Sequence, residues 1–439
     1  MNKKRLQYLG MIMMLFAGLC ACSSENNKSI DSDIEPIAID KVKIKDDSFW
    51  GKRIKTNCDV SIAHNYQQMD EHGYFTNFRI AAGSEEGEYP GTLHGYADSE
   101  VYKYIEGVSY CMMDREIPGM ESQLDSLIEL IGTAQWENGH LHTRDAALGI
   151  EFNPENMGTN HRMYNPGHMY EGAVAHYLAT GKRNFLDIAI KNADMMVSLF
   201  REDKIRGITP GHEEIEIGLM KLYQLTGNEE YVNLAMFLLE ERGTERDKDP
   251  HKLERQKHKP VAEQSEAVGH AVRAGYLYMG MADVALEKNY QPYTDALDRI
   301  WNNVVGKKLY ITGGIGSFHK RMRKNGELGN WEGFGENYEL PNDSYCESCA
   351  AISNALWNYR MFQLHGNAQY MDVLERIIYN NGLSMVSMEG NRFFYQNNLV
   401  APASGNVVRG PWKGCCTNNI LRFIPQVKQI GRASCRESV

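Results

Sequence analysis

The sequence predicts a mainly α-helical fold in which about six helical hairpins close into an α/α barrel. Apolar residues recur at helical spacing from Ile54 onward. A pattern of helix, glycine, tight turn and second helix recurs along the chain. Polar clusters containing histidine precede several of the repeats, as at His168, His212 and His270. Such clusters share one cavity if the hairpins close into a ring, whereas an open solenoid would spread them along a face.

The internal repeat is clearest in residues 177–189, 223–235 and 362–374. Each copy predicts a helix that ends at a glycine, followed by a second helix with an aromatic residue in its first turn. The first two glycines, Gly181 and Gly227, lie 46 residues apart, and Gly366 follows 139 residues later, close to three such steps. A weaker copy spans residues 281–297, with Pro292 early in its second helix.

The N-terminus is typical of an exported lipoprotein. Basic residues 2–5 precede an apolar run, 6–19, that is too short for a comfortable membrane span. Leu19-Cys20-Ala21-Cys22 resembles a bacterial lipobox, with Cys22 as the lipidated residue. The alternative is a plain signal peptide cut near Ala21. We predict a signal peptide at 1–22, a tether and extended lead-in at 23–49, and a periplasmic or outer-membrane lipoprotein of a Gram-negative bacterium.

Charge, two isolated cysteines and the C-terminal segment lead to three further predictions. A net charge of −10 without a basic cluster argues against a nucleic-acid surface. Cys58 and Cys111 are isolated in sequence and are predicted to be separate buried apolar residues. Residues 428–439 lack apolar periodicity and are predicted to be a non-native tail, so the barrel domain is placed at 50–427. The native protein is expected to continue beyond Val427.

Two long connections and one short segment interrupt the helical pattern. Residues 241–264 and 308–343 are long enough that we expect them to form a functional site. Residues 384–399 are predicted to form a β-hairpin. Residues 37–53 are predicted to be extended.

Two short pieces of sequence are rich in thiols and contain a carboxylate: Cys346-Glu347-Ser348-Cys349 and Cys415-Cys416. They offer the ligand types of a tetrahedral zinc site. All four cysteines are one possible ligand set; Glu347 with three cysteines is another, and spacing alone does not choose. A Cys346–Cys349 disulfide is a third interpretation. One thiolate is also suited to attack an electrophile, with Glu332 placed to handle a proton.

Ordered motifs across residues 50–427 resemble those of glycoside hydrolase family 127, together with the related family 146. The motifs are Glu332-Gly333-Phe334-Gly335, 338–343, 345–350, Phe393-Phe394-Tyr395 and Trp412-Lys413-Gly414-Cys415-Cys416. The resemblance implies an (α/α)6 barrel followed by β-sandwich domains, which are missing after Val427. It also implies a retaining β-L-arabinofuranosidase that uses a cysteine nucleophile bound to Zn²⁺.

The same resemblance implies roles for individual residues. Cys415 is the implied nucleophile and Glu332 the implied general acid/base. The implied zinc ligands are Glu347, Cys349, Cys415 and Cys416, and the implied sugar contacts are His168, His212, His270 and Tyr395. The chain departs from the family pattern at Thr417-Asn418, where a proline is common, and in a segment before Cys415 that is two residues shorter.

The sequence therefore predicts an enzyme that removes terminal β-L-arabinofuranose, or a related furanose, from plant-derived glycans. Its expected partners are an arabinofuranose-containing glycan and, through the lipid anchor only, a membrane. One alternative is a hydrolase of the same fold that acts on another unusual pectic sugar. Another is a non-catalytic glycan-binding lipoprotein with structural zinc.

Overall fold

A computed structural model of the chain describes residues 34–89, 95–200, 205–322, 328–400, 407–430 and 433–435. The predicted signal peptide, its Cys22 and the tether up to residue 33 lie outside these residues. Within them, no helix combines the length and the apolar character needed to span a membrane.

Fifteen α-helices account for most of the described chain. They are α1 (Phe49–Thr56), α2 (Ile62–Glu71), α3 (Tyr74–Ala81), α4 (Ala97–Met112), α5 (Met120–Ala134), α6 (Thr143–Ala147), α7 (Tyr164–Thr180), α8 (Asn184–Phe200), α9 (Ile215–Thr226), α10 (Glu229–Glu241), α11 (Ala271–Lys288), α12 (Gln291–Lys307), α13 (Ser348–His365), α14 (Ala368–Arg376) and α15 (Cys415–Gln426). Two π-helical turns, Asn57–Ser61 and Ile377–Gly382, follow α1 and α14.

Six of these helices form a closed inner ring. In ring order they are α4, α7, α9, α11, α13 and α15; each packs against the next, and α15 packs against α4. They are buried on nearly all sides, and in α13 the residues outside the buried set are Phe362 and His365. A helix enclosed all round needs no polar face, which explains why apolar periodicity is weak in α7 and α13. The predicted (α/α)6 barrel is confirmed.

The outer helices alternate with the inner ones along the chain and cover the ring. α5, α8, α10, α12 and α14 each follow an inner helix, and α1 and α2 precede the first. Each outer helix buries one stripe; in α8 it includes Phe185, Ala189, Ala193 and Met196, at helical spacing.

In each copy of the predicted repeat, the first helix ends at the glycine, as the sequence pattern indicates. Gly181, Gly227 and Gly366 adopt φ values of 71°, 71° and 66°. Each donates its backbone N–H to a carbonyl four residues earlier, at 2.8 Å. The aromatic residues in the following helices, Phe185, Tyr231 and Tyr370, are buried against the ring.

The sheets are small. β1 (Ile34–Pro36) pairs antiparallel with β4 (Ala433–Cys435). β2 (Phe318–Met322) pairs antiparallel with β3 (Leu328–Gly333), so that Lys320 lies opposite Trp331. This second hairpin lies within the long connection predicted at 308–343. β4 lies within residues 428–439, the predicted non-native tail. The non-native origin of that tail stays a prediction.

Three predictions of local structure need correction. Cys58 and Cys111 are not separate apolar residues; they form a disulfide between the π turn after α1 and the end of α4. Residues 384–399 form only a minimal hairpin: Val386 and Phe393 bridge, the Ser387 N–H donates to the Arg392 carbonyl oxygen, and the Phe394 N–H donates to the Met385 carbonyl oxygen, without regular strands. The lead-in is extended only in part, because α1 begins at Phe49, where the Ser48 side chain accepts a hydrogen bond from the Gly51 N–H.

Candidate active site

A cluster of three thiols and one carboxylate lies where α13 and α15 begin. Glu347 is the N-cap residue of α13, and Cys349 lies in its first turn. Cys415 and Cys416 are the first two residues of α15, after Gly414 at φ 52°. Because α13 and α15 are neighbours in the inner ring, their starting ends bring these four side chains together.

The separations within this cluster match a tetrahedral zinc site. The Cys349 sulfur lies 3.8 Å from that of Cys415 and 3.4 Å from that of Cys416. Glu347 Oε1 lies 3.4 Å and 3.5 Å from the same two sulfurs. With Zn–S bonds of about 2.3 Å, tetrahedral geometry places sulfurs about 3.8 Å apart and a carboxylate oxygen about 3.5 Å from each. The four residues therefore fit a zinc ion by donor type and by spacing.

Cys346 lies outside this cluster. Its backbone φ is 38°, and its sulfur lies against Gly314. Burial raises the pKa of its thiol to about 12. Cys346 and Cys349 are both free thiols, so they form no disulfide with each other. Of the two ligand sets that spacing left open, the geometry favours the one with Glu347.

The electrostatics of the cluster call for a positive charge beside the sulfurs. The neighbouring Cys349 sulfur raises the pKa of Cys415 to about 12, with burial adding to the effect. Burial and the nearby Cys415 also raise the pKa of Glu347 well above its usual value. Four anionic groups this close cannot all ionise without a cation, which is the charge that a bound divalent metal supplies.

The fully buried ion pair between Lys103 and Glu100 lies next to the cluster and was missed in the sequence. Lys103 Nζ lies 2.5 Å from Glu100 Oε1 and donates to the carbonyl oxygen of Cys415 at 3.2 Å. The pair sits on α4, one turn apart along the helix. The sequence signal was only the spacing of two opposite charges at i and i+3, which does not reveal that both are buried.

Glu332, the predicted acid/base, lies at the end of β3 with φ 48°, an unusual conformation for a residue with a side chain. His270 Nε2 lies 3.0 Å from Oε2 of its carboxylate. The N–H of Val272 donates to His270 Nδ1, so Nε2 carries the proton and donates to Glu332. Burial is the largest single influence and raises the pKa of Glu332, but the contacts with His270, Tyr345 and His319 together outweigh it, so the net shift is downward.

Tyr395 joins the two predicted catalytic residues. Its hydroxyl donates to Glu332 Oε1 at 3.3 Å and lies 4.0 Å from the Cys415 sulfur. Tyr345, which sequence reasoning did not assign, donates to Glu347 Oε2 at 2.8 Å. The structure thus brings the predicted nucleophile, acid/base and metal ligands to one place.

The predicted histidines do not share one position. The rings of His212 and His270 are 5.9 Å apart at the same mouth of the barrel. His168 is 0% exposed, and its ring packs edge-on against Tyr164 and Tyr276. It therefore offers no accessible surface to a sugar.

His161, which the sequence analysis did not single out, lies beside His212 at the mouth of the barrel. Its ring lies 5.9 Å from that of His212, and it follows Asn160 in a turn where both residues have positive φ. His142 Nε2 contacts the Asn160 carbonyl oxygen at 3.0 Å, and Arg162 donates to Asp145 with two nitrogens, at 2.6 and 2.8 Å. Left-handed backbone at two successive residues has no strong sequence signal, so His161 was missed.

The two residues that depart from the family pattern anchor α15. Thr417 Oγ1 accepts a hydrogen bond from the Lys413 N–H at 2.9 Å. The Asn418 side chain donates to the Glu100 carbonyl oxygen at 3.0 Å and is fully buried. These contacts support the turn that presents Cys415 and Cys416.

Comparison with known proteins identifies the family of this chain. The model of the family described as β-L-arabinofuranosidase, GH127 catalytic domain, matches residues 41–429. A non-reducing end β-L-arabinofuranosidase of Bifidobacterium longum subsp. longum is 33% identical over 387 residues, which cover 80% of this chain and 57% of that protein.

Solved structures give the same result. One described as a GH127 β-arabinofuranosidase is 43% identical with a TM-score of 0.81, covering 92% of this chain and 63% of that one. A GH127 β-L-arabinofuranosidase from Geobacillus stearothermophilus T6 is 35% identical with a TM-score of 0.81, covering 88% and 65%. The chain spans less than two thirds of the length of these relatives. As its motifs predicted, the chain belongs to glycoside hydrolase family 127.

Proposed function

We propose that this protein is a retaining glycoside hydrolase that releases terminal β-L-arabinofuranose from plant-derived glycans. The observation that carries the proposal is the Tyr395 hydroxyl, which lies 3.3 Å from the Glu332 carboxylate and 4.0 Å from the Cys415 sulfur. An acid/base and a nucleophile at this spacing can reach the two ends of one glycosidic bond. The GH127 relatives, named as β-L-arabinofuranosidases, support the choice of sugar.

The chemistry follows the double displacement of retaining glycosidases. The Cys415 thiolate attacks the anomeric carbon while Glu332 donates its proton to the departing oxygen, so a C–S bond forms as the C–O bond breaks. Glu332, now a carboxylate, takes a proton from water, which attacks the same carbon and breaks the C–S bond. Two inversions leave the anomeric configuration retained.

Other residues position these groups. His270 holds Glu332 Oε2 through its Nε2–H, and Tyr395 holds Oε1. Glu347, Cys349, Cys415 and Cys416 would hold the zinc ion, which would keep the nucleophilic sulfur deprotonated at neutral pH.

The hydrolysis test uses aryl β-L-arabinofuranoside, with the α-L anomer as the matched control substrate. We expect release of arabinose from the β anomer only, with the first product in the β configuration by NMR. Hydrolysis of a different furanoside, with no turnover of the arabinoside, would favour the alternative pectic sugar. Glycan binding without any turnover would favour the non-catalytic lipoprotein.

The metal is tested by elemental analysis of the purified protein beside two cysteine variants. We expect one zinc per chain in the wild type and loss of zinc in Cys349→Ala. Cys346→Ala is the matched control, because it removes a buried thiol three residues away that lies outside the cluster. Equal zinc loss in both variants would contradict the assigned ligand set.

We also propose that the protein is exported and anchored by a lipid on Cys22. The basic, apolar and Leu-Cys-Ala-Cys segments at the N-terminus support this. The Cys58–Cys111 disulfide supports an oxidising compartment. Labelling with radioactive palmitate should mark the wild type and not Cys22→Ala; label retained in the variant would refute the anchor.

A further inference from the structure

His319 lies on the solvent side of the Glu332 carboxylate. Glu332 Oε2 is bound by His270, which is buried, and Oε1 is contacted by Tyr395 and, at 3.5 Å, by His319 Nε2. The side chain of His319 is 52% exposed, whereas that of Glu332 is 12% exposed. Of these three neighbours of the carboxylate, His319 is the one most open to solvent.

The ring of His319 packs between two aromatic side chains, Tyr345 and Trp331. The imidazole stacks on the buried ring of Tyr345, with centroids 5.1 Å apart and an interplanar angle of 13°. The indole of Trp331 lies 5.4 Å away and is 36% exposed, with Lys320 Nζ 6.0 Å from its centroid. Together these residues present exposed aromatic surface beside a hydrogen-bonding nitrogen.

The proposed reaction determines which part of the substrate reaches this surface. Cys415 attacks the anomeric carbon from one side, and Glu332 protonates the leaving oxygen on the other. Whatever is attached to that oxygen must therefore extend from Glu332 toward solvent, past His319. Aromatic surface with a few placed polar groups is the usual lining of a small-molecule site, and it suits the apolar face and hydroxyls of a sugar ring.

We infer that His319 and Trp331 form the binding site for the leaving-group sugar, the ring to which the terminal arabinofuranose is linked. The inference rests on the proposed function and extends it from the released sugar to the substrate class. The preferred substrate is a di- or oligosaccharide whose leaving group is itself a sugar ring.

The test compares two substrates that share the arabinofuranose and differ in the leaving group. One is a β-L-arabinofuranosyl disaccharide, and the other is methyl β-L-arabinofuranoside, which has no ring to bind. The measured quantity is the ratio of kcat/KM for the disaccharide to kcat/KM for the methyl glycoside. We expect this ratio to fall about tenfold in Trp331→Ala and in His319→Ala, the loss typical of one stacked ring contact.

Phe49→Ala is the matched control, because Phe49 is a 54% exposed aromatic residue whose ring contacts are Trp50 and Tyr379. We expect the wild-type ratio in this variant. An equal loss on both substrates in Trp331→Ala and His319→Ala would overturn the inference, since the residues would then act through Glu332. Unchanged kinetics on both substrates would overturn it as well. A wild type that hydrolyses neither substrate would refute the proposed function itself.

Discussion

The two ends of the barrel are built from the same helices and differ in how these helices are connected. At the end where inner helices finish, α7, α9, α11 and α13 pass to their outer partners through two or three residues. At the end where inner helices begin, the connections run from α8 to α9, α10 to α11, α12 to α13 and α14 to α15, and each spans more than ten residues. The connections at the first end are alike in length, and those at the second end differ from one another.

The candidate catalytic side chains lie at the variable end. His212 and His270 precede α9 and α11, Glu332 and Glu347 precede α13, and Cys415 begins α15. The short turns recur in sequence and therefore indicate the fold. The long connections hold the candidate catalytic residues and show no repeated pattern. The comparison implies that changes at one end should alter catalysis, and changes at the other should alter stability.

The largest expected effect is at the variable end. Replacing the proposed nucleophile in Cys415→Ser should lower kcat/KM on an aryl arabinofuranoside by about 10³-fold or more, because a hydroxyl is a far weaker nucleophile than a thiolate. The helical circular dichroism spectrum should be retained. Cys346→Ser is the matched control and should stay close to the wild-type rate; a comparable loss there would contradict the assignment.

The next effect concerns the disulfide, which joins the π turn after α1 to the far end of α4. The two cysteines are 53 residues apart in sequence, so the disulfide closes a loop of that length. The double variant Cys58→Ala/Cys111→Ala should lose about 2–4 kcal/mol of unfolding free energy in urea, because the unfolded chain is no longer constrained. Its kcat/KM at low temperature should match the wild type. A loss below about 0.5 kcal/mol would show that the bridge contributes little.

The third effect is a shift in pH dependence. The proposed mechanism needs Glu332 protonated in the first step, so we expect kcat/KM to fall as pH rises through the pKa of Glu332. Burial raises that pKa, and His270, together with Tyr345 and His319, lowers it, so that the net shift is downward. In His270→Ala the lowering contact is lost and burial remains, so the alkaline limb should move to higher pH. His212→Ala serves as the control, and an alkaline limb that stays in place in His270→Ala would contradict the account.

The smallest effect is at the repeating end. Gly227 has φ 71° and open space around its Cα, so Gly227→Ala adds backbone strain without a clash. It should lose about 1 kcal/mol in urea unfolding with unchanged kcat/KM. Gly306 lies within α12, also in open space but without positive φ, so Gly306→Ala should be neutral or stabilising. Equal destabilisation of both variants would contradict the assigned role of the turn.

The repeating end could be predicted from sequence because each turn needs a residue that tolerates positive φ. Gly181, Gly227 and Gly366 therefore indicated helix ends directly. The disulfide could not be predicted in the same way. Cys58 and Cys111 lie on separate helices, and which faces meet depends on how the ring closes.

Site residues could be predicted from sequence where the residue type itself indicates the role, as for a cluster of thiols. They were predicted less well where the role depends on the direction in which the backbone points the side chain. The thiols and Glu347 were predicted as alternatives, but the choice between Cys346 and Glu347 depended on the left-handed turn at Cys346. His161 was missed because a similar turn with positive φ directs it toward His212. His319 was missed because its role depends on the pairing of β2 with β3.

The most direct test of the central claim is to trap the covalent intermediate on Cys415. In Glu332→Gln, an activated aryl β-L-arabinofuranoside still provides a good leaving group, but no carboxylate remains to activate water. The glycosylated enzyme should therefore accumulate, and intact-protein and peptide mass spectrometry should find one arabinosyl unit on Cys415. An adduct on Glu347, or turnover that passes through no adduct and inverts the anomeric configuration, would contradict a cysteine nucleophile.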